Sequence, residues 1–345
     1  RDYLRLQSNP FHLRSKKIKM EFKKFKAATV QTSPVFLNVE KTIDKAITFV
    51  KEASKNGAKI IAFPEVFVAG YPYWNWIMTP VQGSKWYEEL YKASVDISSP
   101  EIKKLCLAAK DNDIQIVIGI NERGKSYGEI YNTNLIIDNK GVIIGKHRKL
   151  VPTWAEKLTW SSGDGSSLKV YDTEVGPVGT LACGENTNTL ARYTLLAQGE
   201  LIHIANYISL PVAPADYNMA EAIKIRASAH SFEGKLFTIV SCSTISQEIM
   251  DALKPDVPNV QELLTRKNSA FSGFIGPNGA VIGEPLIDEE GMIYAEIDLA
   301  KCIQPKQMHD ILGHYNRFDI FDLRVNIAPT KNITFIDNHE EFNKK

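Results

Sequence analysis

Lys26–Gln31 (KAATVQ), Asn38–Asn56 (NVEKTIDKAITFVKEASKN) and Ala58–Phe63 (AKIIAF) decide the fold class. The first reads as a strand. In the second, Ile43, Ala46, Ile47, Val50 and Ala53 recur at helical spacing, Asn38 is placed to cap the start, and Gly57 closes the end. The third is a largely apolar strand that runs into Pro64-Glu65. Strand, helix, strand in that order is the start of a layered α/β fold.

The pattern continues downstream. Ser99–Asp113 reads as a helix opened by Ser98, Ser99 and Pro100, followed by the buried strand Ile114–Ile120. Thr133–Asp138 and Val142–Gly145 flank Asn139-Lys140-Gly141, a hairpin turn. Val178–Ala182, the helix Thr189–Gly199, Leu201–Asn206, a long helical region Asp216–Glu233 and Phe237–Ser243 come next. A second hairpin, Phe271–Ile275 with Ala280–Ile282, turns at Pro277-Asn278-Gly279 ahead of Ile293–Asp298. Helices alternate with strands, and a hairpin recurs at matching places in the two halves. The expectation is one domain of two packed sheets with helices outside. Beyond about residue 305 the core period fades, and the tail to Lys345 is mixed and polar.

Composition narrows the class. A formal charge of +1 gives no electrostatic footprint for nucleic acid or a membrane surface, and no apolar run is long enough to span a bilayer. Cys106, Cys183, Cys242 and Cys302 have no CxxC spacing and are too few for a disulfide framework, which points to a reducing, cytoplasmic setting. No cysteine lies near a histidine at zinc-ligand spacing, and the histidines are scattered, so no metal is expected. Residues 1–19 carry six basic groups against one acid, begin with Arg1 and precede Met20; they read as a leader or expression-derived segment. Without them the balance is 35 basic against 39 acidic residues, a charge of −4.

Three points could carry chemistry. Glu65 ends an apolar strand and precedes Val66–Trp76, a stretch rich in aromatic residues. It is either a solvated loop carboxylate or a desolvated one whose raised pKa suits it to act as a base. Lys149 closes the basic run Lys146-His147-Arg148-Lys149 just before Leu150-Val151-Pro152 and Trp154. It is either part of a solvated face or a cation that stabilises an oxyanion. Cys183 follows an apolar strand and precedes Gly184 and the polar run Glu185–Asn188. It is either a buried structural thiol or a nucleophile, its pKa lowered if a cation is near, with the Gly184 N–H available to an oxyanion. A Cys–His pair using His203 or His230 ranks lower, since neither has local support.

Taken together, FPEVFVAGYPYW (63–74), HRKLVPTWAEKLTW (147–160) and CGENTNTLARYTLLAQGE (183–200) resemble the signature blocks of the nitrilase superfamily of carbon–nitrogen hydrolases, most closely its nitrilase branch. The similarity runs from about residue 24 to about residue 300. It implies a single domain, residues 20–305, folded as a four-layer αββα sandwich, with the tail 306–345 at an oligomer interface. It implies Glu65 as general base, Lys149 as transition-state cation, Cys183 as nucleophile, Glu156 as a supporting carboxylate, and no metal or organic cofactor. It further implies homodimers that extend into spirals. Trp154 and Tyr71, with Tyr73 and Trp74 nearby, either line an apolar, aromatic pocket or belong to core or dimer packing. The reaction expected is hydrolysis of a nitrile to acid and ammonia through a thioimidate and a thioester. Hydrolysis of an amide by the same residues is the alternative, and a non-catalytic interaction protein on this fold is a remoter one.

Overall fold

The computed structural model describes residues 22–214, 216–331, 333 and 334; the leader 1–19 lies outside the described residues. The first half runs β1 (Lys24–Gln31), α1 (Val39–Lys55), β2 (Ala58–Ala62), α2 (Trp74–Ile77), α3 (Pro80–Ala93), α4 (Pro100–Asp111), β3 (Gln115–Arg123), β4 (Ile130–Ile137) and β5 (Ile143–Arg148). The second half runs β6 (Tyr171–Thr173), β7 (Gly176–Ala182), α5 (Thr189–Ala197), β8 (Ile202–Tyr207), α6 (Met219–Gly234), β9 (Phe237–Cys242), α7 (Gln247–Leu253), α8 (Val260–Leu264), β10 (Phe271–Ile275), β11 (Val281–Ile287), β12 (Gly291–Asp298) and α9 (Gln304–Met308).

Local signals explain the boundaries. The Asn38 side chain accepts from the Lys41 N–H, so α1 starts where its cap stands, and Gly57 at φ +84° ends it. Ser99 caps α4 in the same way and Asn218 caps α6. Helix α3 carries only a weak apolar stripe, with Gly83 and Leu90 buried. The sequence reading passed over it, and over α2, α7, α8 and the short β6; what marks α3 is its Thr79–Gln82 capping box with Pro80 at the first turn.

Each sheet has six strands, in the orders β12-β1-β2-β3-β4-β5 and β11-β10-β9-β8-β7-β6. The central strands β1, β2 and β3 are parallel, as are β7, β8 and β9, with antiparallel hairpin strands flanking them. Residue alternation then builds the layers. Ala28, Val30, Ile61, Ile116 and Ile118 pack against α1 and α4, while Ala27, Ile60, Ala62 and Val117 face Val178, Ile202, Ile204 and Ile239 of the other sheet. Beyond that sheet, Ala205, Tyr207 and Val240 pack on α6, and Leu181 packs on α5. The order is helices, sheet, sheet, helices: the αββα sandwich.

Polar bonds register the two sheets at one rim. Thr29 Oγ1 donates to the Val240 carbonyl and Ser241 Oγ to the Val30 carbonyl, both at 2.7 Å. Asn206, at the end of β8, donates its amide to the Phe63 carbonyl, and the Glu65 N–H donates to the Tyr207 carbonyl. Strand β5 runs in the same sense as β3, because β4 is antiparallel to both. The carboxyl ends of β2, β5, β7 and β8 therefore meet on one side.

After α9 the tail has no further regular element among the described residues. It lies along α5, where Asn316 bonds the Tyr193 hydroxyl and the Thr330 N–H donates to Asp164. Within this mixed stretch Tyr315, Phe318, Phe321 and Ile327 are exposed.

Gly119 shows how tightly the rim is built. Its N–H donates to the Pro64 carbonyl, and a Cβ there would lie 2.2 Å from the Val66 nitrogen and 2.4 Å from the Pro64 oxygen. Gly119→Ala is expected to destabilise the protein by about 1–3 kcal/mol, read from urea midpoints. An unchanged midpoint would mean that the segment carrying Glu65 is free to move away from β3.

Candidate active site

Lys149 leaves the end of β5 with its side chain wholly buried, and its ammonium lies 2.8 Å from Glu65 Oε1 and 2.7 Å from Glu156 Oε2. Burial opposes its charge, but Glu156 and Glu65 outweigh burial and hold its pKa well above the ordinary lysine value. The surface reading of this lysine is thereby excluded. Glu156 is fixed from three further directions: by the Tyr71 hydroxyl at 2.9 Å, by the Thr153 N–H at 2.7 Å, and by the short turn Trp154–Leu158 that carries it.

Glu65 is equally buried. Its Oε1 accepts from Lys149 and from Asn132 Nδ2 at 2.7 Å. Its Oε2 is buried with no hydrogen-bond partner among the described residues. Burial raises the Glu65 pKa, Lys149 opposes the rise, and Glu156 adds to it. A desolvated carboxylate with one oxygen left bare is a proton acceptor held ready.

Cys183 follows β7 directly and takes φ +51°; Val66, next to Glu65, takes +40° and Trp154 takes +46°. Each such non-glycine conformation costs about 1–3 kcal/mol and persists only where the surroundings impose it. Around Cys183, the Asn186 side chain donates to the Cys183 and Leu181 carbonyls and accepts from His203. A cation does stand near Cys183, but the thiol pKa is raised, not lowered. Burial raises it, Glu65 raises it further, and Lys149 only partly opposes them. The resting group is a neutral thiol that needs a base, and Glu65 is the charge that acts on it most.

Glu185 joins the two halves. Its Oε1 accepts from the Leu150 N–H at 2.7 Å, and its Oε2 accepts from the Ala182 N–H at 3.0 Å and from His147 Nε2 at 2.8 Å. The other nitrogen of His147 lies 3.2 Å from the Ser167 carbonyl and 3.3 Å from the Ser167 hydroxyl. Burial lowers the His147 pKa, but Glu185 outweighs it and the net shift is upward. One carboxylate thus ties the residues beside Lys149 to the residue before Cys183.

A cavity of about 340 Å³ opens onto Cys183, Gly184 and Glu156. Trp154 lines its mouth with most of its ring in solvent, close to Trp76. Ile208, Leu210, Val212 and Met219 form the aliphatic far wall. Tyr71 stands behind Glu156, and Tyr73 and Trp74 are packed in the core. The cavity lining is therefore mixed: Trp76, Trp154 and Tyr217 stand with the aliphatic side chains, while Tyr71, Tyr73 and Trp74 do not line it. His203 and His230 are both engaged by Glu200, at 2.7 and 2.8 Å, and His203 also by Asn186, so neither is free to activate Cys183. These three form a buried trio that the scattered histidines of the sequence did not suggest. Burial would raise Glu200, but the two imidazoles outweigh it and bring it to about 2, while burial and His203 lower His230 to about 4. His203 is bonded through both ring nitrogens, to Glu200 and Asn186, whereas His230 Nδ1 is buried with no hydrogen-bond partner among the described residues.

Sequence reasoning missed Asn132, Glu185, His147 and Asn186. For Asn132 a signal existed: it shares a strand face with Ile130, Asn134 and Ile136, so it breaks an apolar period of two.

Residues 26–307 match the family model described as carbon-nitrogen hydrolase. The chain is 35% identical over 308 residues to an aliphatic nitrilase of Rhodococcus rhodochrous, covering 88% of this chain and 82% of that one. It is 37% identical over 297 residues to a nitrilase of Bacillus sp. strain OxB-1, covering 86% of each. Among solved structures, the C. elegans NitFhit protein superposes with a TM-score of 0.68 at 18% identity, over 91% of this chain and 70% of that one. At that identity the likeness speaks for the fold.

Glu185→Ala would leave the Ala182 and Leu150 N–H groups without an acceptor and His147 without its carboxylate partner. The expected loss is about 3–5 kcal/mol in urea unfolding. A loss under about 1 kcal/mol would show that this carboxylate does not join the halves.

Proposed function

The chain belongs to the carbon–nitrogen hydrolase family, in its nitrilase branch, and from that premise we propose that it hydrolyses an organic nitrile to the carboxylic acid and ammonia, with Cys183 as nucleophile. The observation that carries the residue roles is the bare Oε2 of Glu65, buried beside a neutral thiol and next to an ammonium clamped between two carboxylates.

Glu65 takes the Cys183 proton as sulfur attacks the nitrile carbon, and returns it to nitrogen. A C–S bond forms, one π bond of the C≡N group is lost, and the product is a thioimidate. Glu65 then takes a proton from a first water, whose oxygen bonds to the same carbon while nitrogen is protonated to the amine. Lys149 and the Gly184 N–H stabilise the charge on this tetrahedral centre. Nitrogen gains a further proton and leaves as ammonia, giving a thioester. A second water, deprotonated by Glu65, displaces the sulfur, which recovers the proton. Two waters are consumed for each nitrile. The covalent route divides one difficult step into easier ones, and a base beside a fixed cation meets the opposite charge demands of its stages.

The described part of the tail leaves several large apolar side chains exposed, which supports its use in joining copies into a homo-oligomer. All four cysteines are free, which supports a reducing compartment such as the cytoplasm. Among the described residues no helix is long and apolar enough to cross a membrane.

Ammonia release from nitriles and their matching amides tests the reading. Cys183→Ala is expected to abolish it, and Lys149→Arg to lower it at least about 100-fold, since a planar fork does not replace a compact ammonium. Ammonia from amides alone would move the chain to amide hydrolysis, and unchanged rates in Cys183→Ala would end the proposal. A second measurement isolates Glu65. Rate requires its ionised form, and the Asn132 bond favours that form. Asn132→Leu removes the bond and raises the Glu65 pKa further, so the acid limb of the kcat/KM profile is expected to move to higher pH. A limb that stays put would remove Glu65 as the base.

A further inference from the structure

One side chain in the cavity wall does not fit a site built for an alkyl nitrile. Arg226 lies on α6, seven residues after Met219 and three after Ile223, on the face that α6 turns toward the second sheet and the cavity. A charge in an apolar stripe is an informative departure. Nε donates to Thr187 Oγ1 at 2.6 Å and one Nη to the Tyr217 hydroxyl at 3.0 Å, both neutral groups. Among the described residues no carboxylate lies within ion-pair distance of it. The half-buried Arg148 and the buried Arg192 each have one, Glu122 and Glu233. The carboxylate that shares the cavity, Glu156, has its oxygens committed to Lys149, Tyr71 and Thr153.

We propose that Arg226 is an anchor for an anionic group on the substrate, so that the preferred substrates are short nitriles bearing a carboxylate at the far end of an alkyl chain. A guanidinium has five donors in a planar fork, and two serve here to fix its plane. The rest are free for a carboxylate, the partner whose geometry this fork matches. Half-burial beside aliphatic walls strengthens such a pair relative to one in water. The aliphatic lining suits the methylenes between the two ends. The same placement beside Cys183 and Thr187 fixes the order of the substrate, nitrile toward the thiol and anion toward α6. This assignment rests on the nitrile-hydrolysis reading for its chemistry, though the anchor itself is a binding property.

The test separates the two. Calorimetric titration of the Cys183→Ala protein with 4-cyanobutanoate and with its methyl ester compares an anion with a neutral ligand of nearly the same shape. The anion is expected to bind about 10–100-fold more tightly, and Arg226→Gln in the same background to erase that preference, with Arg226→Lys keeping part of it. In the protein with Cys183 intact, kcat/KM for ammonia release should show the same ratio. Equal binding of the two ligands, or a loss on Arg226→Gln that falls on both alike, overturns the anchor and leaves Arg226 a structural link between Thr187 and Tyr217. Selective binding of the anion without ammonia release keeps the anchor and overturns nitrile hydrolysis instead.

Discussion

An ammonium taken wholly out of water has to be surrounded by opposite charge, and the position of Lys149 between Glu65 and Glu156 follows from that requirement. Each of the three groups alone would pay a desolvation cost of several kcal/mol. Together they form a unit that exists only when the end of β2, the end of β5 and the turn at 154–158 are in register. The polar bonds between the sheets, from Asn206 to Phe63 and from Glu65 to Tyr207, hold that register. The fold and the charge cluster thus impose the same alignment on the chain.

The thiol is brought to this cluster by a different device. Among the described residues nothing hydrogen-bonds its sulfur; its backbone is held instead. Asn186 grips the carbonyls on either side of the turn, His203 and Glu200 hold Asn186, and Glu185 fixes the preceding N–H. The left-handed conformation of Cys183 is maintained by bonds to its neighbours. That leaves the sulfur free to move while the Glu65 carboxylate stays fixed by Lys149 and Asn132.

Much of this was legible beforehand because it depends on local order. Apolar strands ending in Glu65, Lys149 and Cys183 could be read from period and position, and α1 and α4 from their caps. The resemblance added Glu156 and the sandwich. What stayed hidden depends on contacts distant in the chain. Glu185 and His147 are 38 residues apart, and a lone histidine in a basic run gives no sign of a buried carboxylate partner. The thiol pKa went the other way because sequence shows that a cation is near but not how much water is gone. The aromatic run 71–76 divides in a way sequence does not show: Tyr73 and Trp74 turn into the core, Trp76 lines the cavity, and much of the remaining wall comes from residues 208–214, a loop without period.

That last division has an evolutionary corollary. The groups to which the proposed reaction is assigned sit on strand ends and tight turns braced by buried ion pairs, where almost any exchange is costly. The wall facing them is a loop and one face of α6, which contribute no atom to the bond-breaking steps. Mutations there can be sampled without touching the reaction. A lineage built on this scaffold is free to trade one nitrile for another while inheriting its chemistry unchanged.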